Sequence, residues 1–584
     1  MTSDSTRMRR SGISFADTDH DGQGVEVEFN LADLYECVAA RIPEREVVVW
    51  RDTRLTHRQL EERANRLAHG LEDMGLGVDD HVGVFMYSRP EYLETMVAAF
   101  KVRAVPINVN YRYVADELVY LFENAELQAL VLEASFAPVV ASVLDRVPRL
   151  DYLIVVDDGS DGADALPDAL DYEEFLTAHS PLAGFPSRSS DDAYIAYTGG
   201  TTGNPKGVVW RHEDIFFATM TPGVVVNRPG DVAENAIAPV HPRLAPLVEM
   251  GVAVPDAFVS YALGPLMHVS GHWSAWGAML SGGRAVLHPE RQMEAETVLE
   301  TIDRERVTML TIVGDSMGRP IVEAIEASPR SHVRTSVLML GSGGSVLSSD
   351  VKARLFDGFP SAMMLTEAIG SSESPAQAIS LAFRGQGVAP ALEFAADDRT
   401  TVFDDDLRSV TPGSGAVGRL ATRGRVPVGY FHDAEKSAHT FIDVGGSRWA
   451  LPGDMATIEA DGTIRLLGRG SMCINTGGEK VYPEEVEAVL KTHPKIADAV
   501  VVGVPDARFG EQVTAVFQPI AGELAPSLAE VKAHCRPHLA GHKVPRQVFA
   551  VDLVPRSPSG KPDYPWAKNV ALTRSVVRHG PEGE

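Results

Sequence analysis

The chain has 584 residues and 63.0 kDa, with 44% hydrophobic and 23% charged residues, proportions that exclude wholesale disorder, collagen-like repeats and heptad fibres. At about 100–200 residues per domain, that length predicts three or four structural units with an ample core. Lys plus Arg number 53 against 80 for Asp plus Glu, a net charge of −27 whose field repels phosphate backbones, so no nucleic-acid partner is expected. Residues 471–584 hold 13 basic and 13 acidic side chains, so the excess lies in the first 470. A neutral segment beside an acidic body hints at a unit that handles a different ligand.

Residues 1–26 read as a polar tail without the apolar core of a signal peptide. No apolar run approaches the ~20 residues of a bilayer span, so the expected location is cytoplasmic, with peripheral membrane contact left open. The three cysteines (Cys37, Cys473, Cys535) are too few for a disulfide framework and show no metal-ligand spacing.

Thr56, with Gln59 three residues on, predicts a capping box opening a helix over 56–74. Leu60, Ala64, Leu67, Leu71 and Met74 form its apolar face, and Gly75 stops it. A strand over 82–86, a helix over 91–102 and strands near 105–109, 129–132 and 152–156 follow. These unalternated strands interleaved with helices predict a parallel sheet covered on both faces. Residues 157–167 read as a polar loop. Residues 222–256, rich in Pro, Gly, Val and Ala, read either as an excursion near a binding site or as a surface insertion. Residues 400–470 are strand-rich, and beyond Arg469 a small α+β unit is expected, with a helix over 484–490 and strands near 500 and 513–517.

Residues 197–208, YTGGTTGNPKGV, carry three threonines and four glycines. Glycines let backbone N–H groups approach a polyphosphate, hydroxyls donate further hydrogen bonds, and Lys206 adds a charge. No G-x-x-x-x-G-K-[ST] spacing is present, so this is not a Walker A loop. On composition alone it is equally a Gly/Thr-rich turn between strands.

The loop resembles the phosphate-binding signature of the adenylate-forming superfamily of acyl-CoA synthetases, peptide-synthetase adenylation domains and luciferases. Further segments follow in that family's order from about residue 27 to 570: PLMHVSG at 265–271, GSGGSVL at 341–347, EAIGSSE at 367–373, LPGDMATIEADG at 451–462, LGRGSMCINTGGEKVYPEEVE at 467–487 and SPSGKPDY at 557–564. The resemblance implies an α/β fold. A large N-terminal domain of stacked mixed and parallel sheets with helices carries a small β-rich subdomain and is followed by a small mobile α+β C-terminal domain. The implied boundaries are a tail at 1–26, an adenylation domain at 27–470, the mobile domain at 471–570 and a tail at 571–584.

The resemblance also implies roles. ATP is bound by Thr198, Gly199, Gly200, Thr201, Thr202, Gly203, Lys206, Gly343, Glu367, Gly370, Ser372, Glu373, Asp454, Arg469 and Lys561. Glu373 holds Mg2+, Asp454 accepts from the ribose hydroxyls, and Lys561, Glu373 and Thr198 take part in the chemistry. His268 and Gly341 border the acyl group, while Gly477, Gly478, Glu479 and Lys480 admit coenzyme A. Each has a plainer reading: Glu373 a surface glutamate, Asp454 a turn, Arg469 an exposed arginine, Lys561 a solvated lysine, and His268, Trp273 and Trp276 packed core. Two positions depart from the family pattern. Ile369 stands where an aromatic usually stacks on adenine, so aliphatic packing is expected to serve, and Ser471 stands at a hinge that is generally Asp or Lys.

The wording of 197–214, 474–487 and 556–564 resembles actinobacterial fatty-acyl and sterol side-chain CoA ligases. The implied substrate is a long apolar or steroid-like carboxylic acid, with aryl and medium-chain acids left open, as is a homodimer. The rival readings are an adenylation domain feeding a carrier protein, a luciferase-like oxygenase and an idle nucleotide sensor.

Overall fold

The computed structural model describes residues 28–578, apart from 199–203, 222–224, 329–333, 388–391, 477–478, 507 and 558–559. The expected N-terminal tail therefore lies outside the described residues. The chain forms two compact units. One comprises residues up to Thr311 with Ser372–Pro375 and Gly424–Ala450, and the other Ile312–Ser371, Ala376–Arg423 and Leu451 onward.

In the first unit, Thr56 caps the His57–Asp73 helix as expected: its hydroxyl accepts from the Gln59 N–H at 3.3 Å, and the Gln59 side chain accepts from the Thr56 N–H at 2.9 Å. Leu60, Ala64, Leu67 and Leu71 are buried, and Gly75 takes φ +81° at the stop. The expected parallel sheet is present, in the order Val105–Asn108, His81–Phe85, Leu127–Glu133, Tyr152–Val156, Leu170–Asp171. The loop at 157–167 differs from expectation in carrying a 3-10 turn over Asp161–Ala165.

A second sheet runs Met309–Ile312, Val259–Ala262, Arg284–Leu287, Glu46–Trp50 in parallel, with Thr53–Thr56 antiparallel at its edge. A third is antiparallel: Gly429–Tyr430, Lys206–Arg211, Ala193–Thr198. Residues 222–256 are not a bare surface insertion. They carry the helices Pro229–Asn235 and Ala245–Glu249, with Val232, Leu244 and Leu247 buried.

The second unit pairs Met339–Gly343 in parallel with Met364–Ser371. Its strand-rich part orders Glu393–Phe394, Ile464–Arg469, Asp454–Ile458 and Gly418–Arg423 antiparallel, with Thr400–Phe403 on the last of them. Ile369 packs into the core of this sheet with Ala378, Phe394, Val402 and Leu420. That corrects the expectation that it offers an aliphatic surface to adenine: strand alternation turns it inward. Beyond Arg469, Ile496–Asp506 and Gly510–Pro519 form a long hairpin. Val501 faces a core with Val486 and Leu490, while Val500, Val502 and Val504 face another with Tyr564, Ala567 and Ala571. The period of two buries both faces. The Tyr564–Arg578 helix therefore runs past 570, and the expected tail boundary falls inside it, because Ala567 and Ala571 pack one turn apart.

Candidate active site

Each unit gathers its own share of the residues expected to act. In the first, the strand register sets Thr198 opposite Lys206, so the ends of the Gly/Thr-rich loop are held side by side. Gly199, Gly200, Thr201, Thr202 and Gly203 lie outside the described residues. The Lys206 ammonium bonds the Asp433 carboxylate and lies 5.8 Å from the centre of the Tyr430 ring. Lys436 lies 5.0 Å from that ring centre. Burial, followed by the Lys206 charge, holds the Lys436 ammonium below its usual range, and the Lys206 contact holds the Asp433 carboxyl below its own.

The Tyr430 hydroxyl donates to Glu373 Oε1 at 2.7 Å. Glu373 is brought there by Trp210, whose indole N–H donates to the Ser372 carbonyl at 3.0 Å within the core. Ser372 itself is buried. Two ammonium groups, one of them paired with Asp433, and the Glu373 carboxylate steadied by a phenol make a surface suited to a polyphosphate and a divalent cation. Among the described residues no cluster of three or more metal-binding side chains occurs. Glu373 fits Mg2+ as the single carboxylate such an ion takes when phosphates supply other ligands. Tyr430, Asp433 and Lys436 were not foreseen from sequence. Their signal was the residues 425–430 preceding a helix cap, unreadable without the pairing of Tyr430 with Val208.

Asn108, also unforeseen, donates to the carbonyls of Tyr197 at 2.8 Å and Met267 at 2.7 Å, and accepts from the Tyr197 N–H. The start of the loop and His268 are thereby tied to one side chain. His268 is half-buried at the N-cap of the Val269–Leu280 helix. His272, one turn on, is the packed histidine: Tyr194 and Tyr92 bond its two nitrogens, and burial pushes it down to about 3. Trp276 is core beside Tyr35 and Phe100, while Trp273 is half-buried.

A Cβ on Gly271 would stand 2.5 Å from the Pro265 carbonyl oxygen and 2.8 Å from that of Gly264. Backbone cannot yield, so this glycine lets the helix start close against the segment that carries His268. Gly271→Ala is expected to cost about 1–3 kcal/mol by overpacking. Thermal melts check this against Gly230→Ala, whose Cβ would meet nothing within 4 Å.

In the second unit, Gly341 and Gly343 lie on a strand whose register sets Gly341 opposite Thr366 and Gly343 opposite Ala368, with Gly370 further along the partner strand. Glu367 is buried and its carboxylate is engaged by Lys352 at 2.5 Å. Burial pushes the Glu367 carboxyl up, and Lys352 opposes that. Asp454 lies opposite Arg469 across a strand pair, and its Oδ1 is 2.9 Å from Arg469 Nε. Ser471 is exposed in a 3-10 turn, Gly470–Met472. Glu479 and Lys480 are exposed on a hairpin opposite Thr476 and Asn475. Gly477 and Gly478 lie outside the described residues.

Lys561 is exposed on a tight turn. The Ser557 N–H donates to its carbonyl at 2.9 Å, and its own N–H donates to the Ser557 hydroxyl at 3.1 Å. Arg556 clamps the turn through the Gly560 carbonyl and the Asp498 carboxylate. Gly560, at φ +69°, approaches so closely that a Cβ would stand 2.6 Å from the Ser316 hydroxyl. Beside Ser316, the Gly314 N–H donates to the Ser342 hydroxyl at 3.2 Å. The lysine turn and the Gly341–Gly343 strand thus flank one short segment.

Glu484 was also not foreseen. The Arg469 N–H donates to its Oε1 at 3.2 Å, and a Cβ on Gly468 would stand 2.0 Å from Oε2. Burial, then the neighbouring Glu487 charge, pushes its carboxyl from 4.5 up to about 8, with Asp454 adding to the effect. The folded chain therefore holds a proton that the unfolded chain releases, so this group's contribution to stability falls as pH rises from about 4.5 to 8. Glu484→Gln is expected to flatten that part of the stability–pH profile, read by denaturant unfolding across the range.

Residues 35–431 match the AMP-binding enzyme family, and residues 485–561 match the AMP-binding enzyme C-terminal domain. The chain is 42% identical over 544 residues to the 3-oxocholest-4-en-26-oate–CoA ligase of Rhodococcus rhodochrous, covering 92% of this chain and 95% of that one. It is 43% identical over 556 residues to the medium/long-chain-fatty-acid–CoA/3-oxocholest-4-en-26-oate–CoA ligase of Mycobacterium tuberculosis, covering 94% and 97%. Its fold matches the crystal structure of an anthranilate CoA ligase in complex with anthranoyl-AMP, with a TM-score of 0.78 at 21% identity over 94% of this chain and 99% of that one. No helix among the described residues is long and apolar enough to cross a membrane. With the motifs in order along nearly the whole chain, and Lys206, Glu373 and Lys561 each held by its own scaffold, the chain belongs to the AMP-binding enzyme family, the adenylate-forming superfamily.

Proposed function

We propose that this enzyme is an ATP-dependent acyl-CoA synthetase that converts a long-chain fatty or steroid side-chain carboxylic acid to its acyl-adenylate and then to its coenzyme A thioester. The observation that carries the reading is the similarity along more than nine-tenths of the chain to ligases named for such acids. The Lys206–Tyr430–Glu373 cluster supports it with machinery for a polyphosphate.

A carboxylate is a poor electrophile, so activation comes first. Its oxygen attacks the α-phosphorus of ATP, forming the acyl–phosphate bond as the bond to pyrophosphate breaks. Lys206 and Lys436 hold the phosphates. Lys561 meets the charge that builds on the transferring phosphoryl group. Glu373 would hold Mg2+, which when bound would supply charge neutralisation at the phosphates. Thr198 donates from the loop, and Asp454 and Arg469 hold the nucleotide's sugar. In the second half-reaction the coenzyme A sulfur attacks the acyl carbon, and AMP departs with the electron pair of the broken C–O bond. Rotation at the exposed Ser471 presents the Lys561 turn for the first step and the segment 477–480 for the second. A small residue there absorbs the backbone change.

Pyrophosphate and AMP release with Mg-ATP across a panel of carboxylic acids, with and without coenzyme A, tests this. AMP turnover is expected to need both a long or steroidal acid and coenzyme A. Pyrophosphate release indifferent to coenzyme A would point instead to a carrier-protein acceptor, and turnover confined to aryl or medium-chain acids would move the substrate. No release with any acid would overturn the ligase reading.

A further inference from the structure

The excursion at 222–256 delivers one side chain that the reaction above does not use. The 3-10 turn Pro242–Leu244 carries Arg243 against the Val269–Leu280 helix, where a Cβ on Gly277 would stand 2.7 Å from its Nη2. The bare backbone of Gly277 makes the room that the guanidinium fills. Among the described residues it finds little to bond there. Nη2 is a long 3.4 Å from the Thr221 carbonyl, and Nε is sealed from solvent without an acceptor. Arg243 is half-buried, and burial alone pushes its guanidinium below the usual arginine range, with no carboxylate among the causes to offset this. The titratable side chains interacting with its neighbour His241 are Arg243 and Arg45, both cationic. An enclosed arginine with one long hydrogen bond and a sealed, unbonded Nε is costly, and such groups are ordinarily paired.

The helix also measures how far this cation lies from His268, which the acyl-CoA synthetase reading sets beside the acyl group. Asn108 ties Tyr197, which precedes Thr198, to Met267, which precedes His268. From His268 at the helix cap, nine residues lead to Gly277, about 13 Å along the axis at roughly 1.5 Å per residue. Ser270 and Trp273 lie on the Gly277 side of the helix at i−7 and i−4, and they are exposed and half-buried. This side of the helix passes from exposed Ser270 through half-buried Trp273 to buried Gly277, against which half-buried Arg243 lies.

The geometry points to Arg243 as a specificity-determining residue that donates hydrogen bonds to an oxygen at the far end of the acid substrate, a keto or hydroxyl group about 13 Å from the reacting carboxylate on an otherwise apolar skeleton. The inference rests on the acyl-CoA synthetase reading and deepens it. A steroid side-chain acid with a ring ketone has this layout. An unfunctionalised fatty acid leaves the guanidinium without its acceptor. A site built around a polar partner discriminates against the analogue that lacks it.

The test compares kcat/KM for a keto-steroid side-chain acid with that for an unfunctionalised long-chain fatty acid, in the wild type, Arg243→Leu, Arg243→Lys and Gly277→Ala. Arg243→Leu is expected to lower the ratio of the two values about 10–100-fold, mainly through the KM of the keto acid, with Arg243→Lys recovering part of it. Gly277→Ala crowds the guanidinium and is expected to lower the ratio while Arg243 remains, so the test survives if Arg243→Leu does not fold. A ratio unchanged in these variants overturns the assignment, as does a wild type that uses the fatty acid and not the keto acid. Wild-type enzyme releasing pyrophosphate with neither acid overturns the ligase reading and the assignment together.

Discussion

Lys561→Ala is expected to depress acyl-adenylate formation about 10²–10³-fold while leaving thioester formation from supplied acyl-adenylate within a few-fold of wild type. The loss is expected in the chemistry because the turn has hydrogen bonds and an anchor that survive removal of the lysine side chain. Its hydrogen bonds run through the Lys561 backbone and the Ser557 hydroxyl, and its anchor is the Arg556–Asp498 pair. Removing the ammonium takes away charge stabilisation where the α-phosphoryl group develops negative charge, and nothing else in the turn carries that charge to the same place. Pyrophosphate release reads the first half-reaction, and thiol consumption with synthetic acyl-adenylate reads the second. Equal loss in both would overturn the division of labour between the Lys561 turn and the segment 477–480.

What could be read in the sequence follows from the range of the interactions concerned. The helix after Thr56 was legible because its cap, its apolar face and its stop all lie within twenty residues. The parallel sheet was legible because strands buried on both faces lose their alternation. The site was legible only as motifs. Glu373 could be named, yet not the Tyr430 hydroxyl that steadies it, since that contact spans 57 positions and depends on Gly429–Tyr430 pairing with Val208 and Val209. Asn108 lies 89 positions from Tyr197 and carries no local pattern. Ile369 was misread for a related reason. Its place in the motif suggested an exposed stacking surface, whereas the alternation of Met364–Ser371 turns it into the core. Glu367 could be named as a nucleotide-binding position by resemblance, and its pairing with Lys352 emerged only in three dimensions.

The second large effect concerns Glu373. Glu373→Gln keeps the size of the side chain and can still accept from the Tyr430 hydroxyl, so it removes the charge with little change in packing. A neutral amide is a weak ligand for a hard divalent cation. The variant is expected to lose about 10²-fold in kcat/KM for Mg-ATP and to need more Mg2+ for half-maximal rate, with the acid's KM nearly unaffected. Tyr430→Phe removes one hydrogen bond to a charged group and is expected to cost less, about 10-fold. If the phenol acts by orienting the carboxylate, the double variant falls short of the product of the two losses, because its second change has no charged partner left to orient. Independent, multiplicative losses would separate Tyr430 from Glu373 and leave the phenol a role of its own beside Lys206 and Lys436, whose ammonium groups lie against its ring. An unchanged Mg2+ requirement in Glu373→Gln would count against the carboxylate as the metal's ligand. The polyphosphate would then rest on the two lysines and the loop between Thr198 and Lys206.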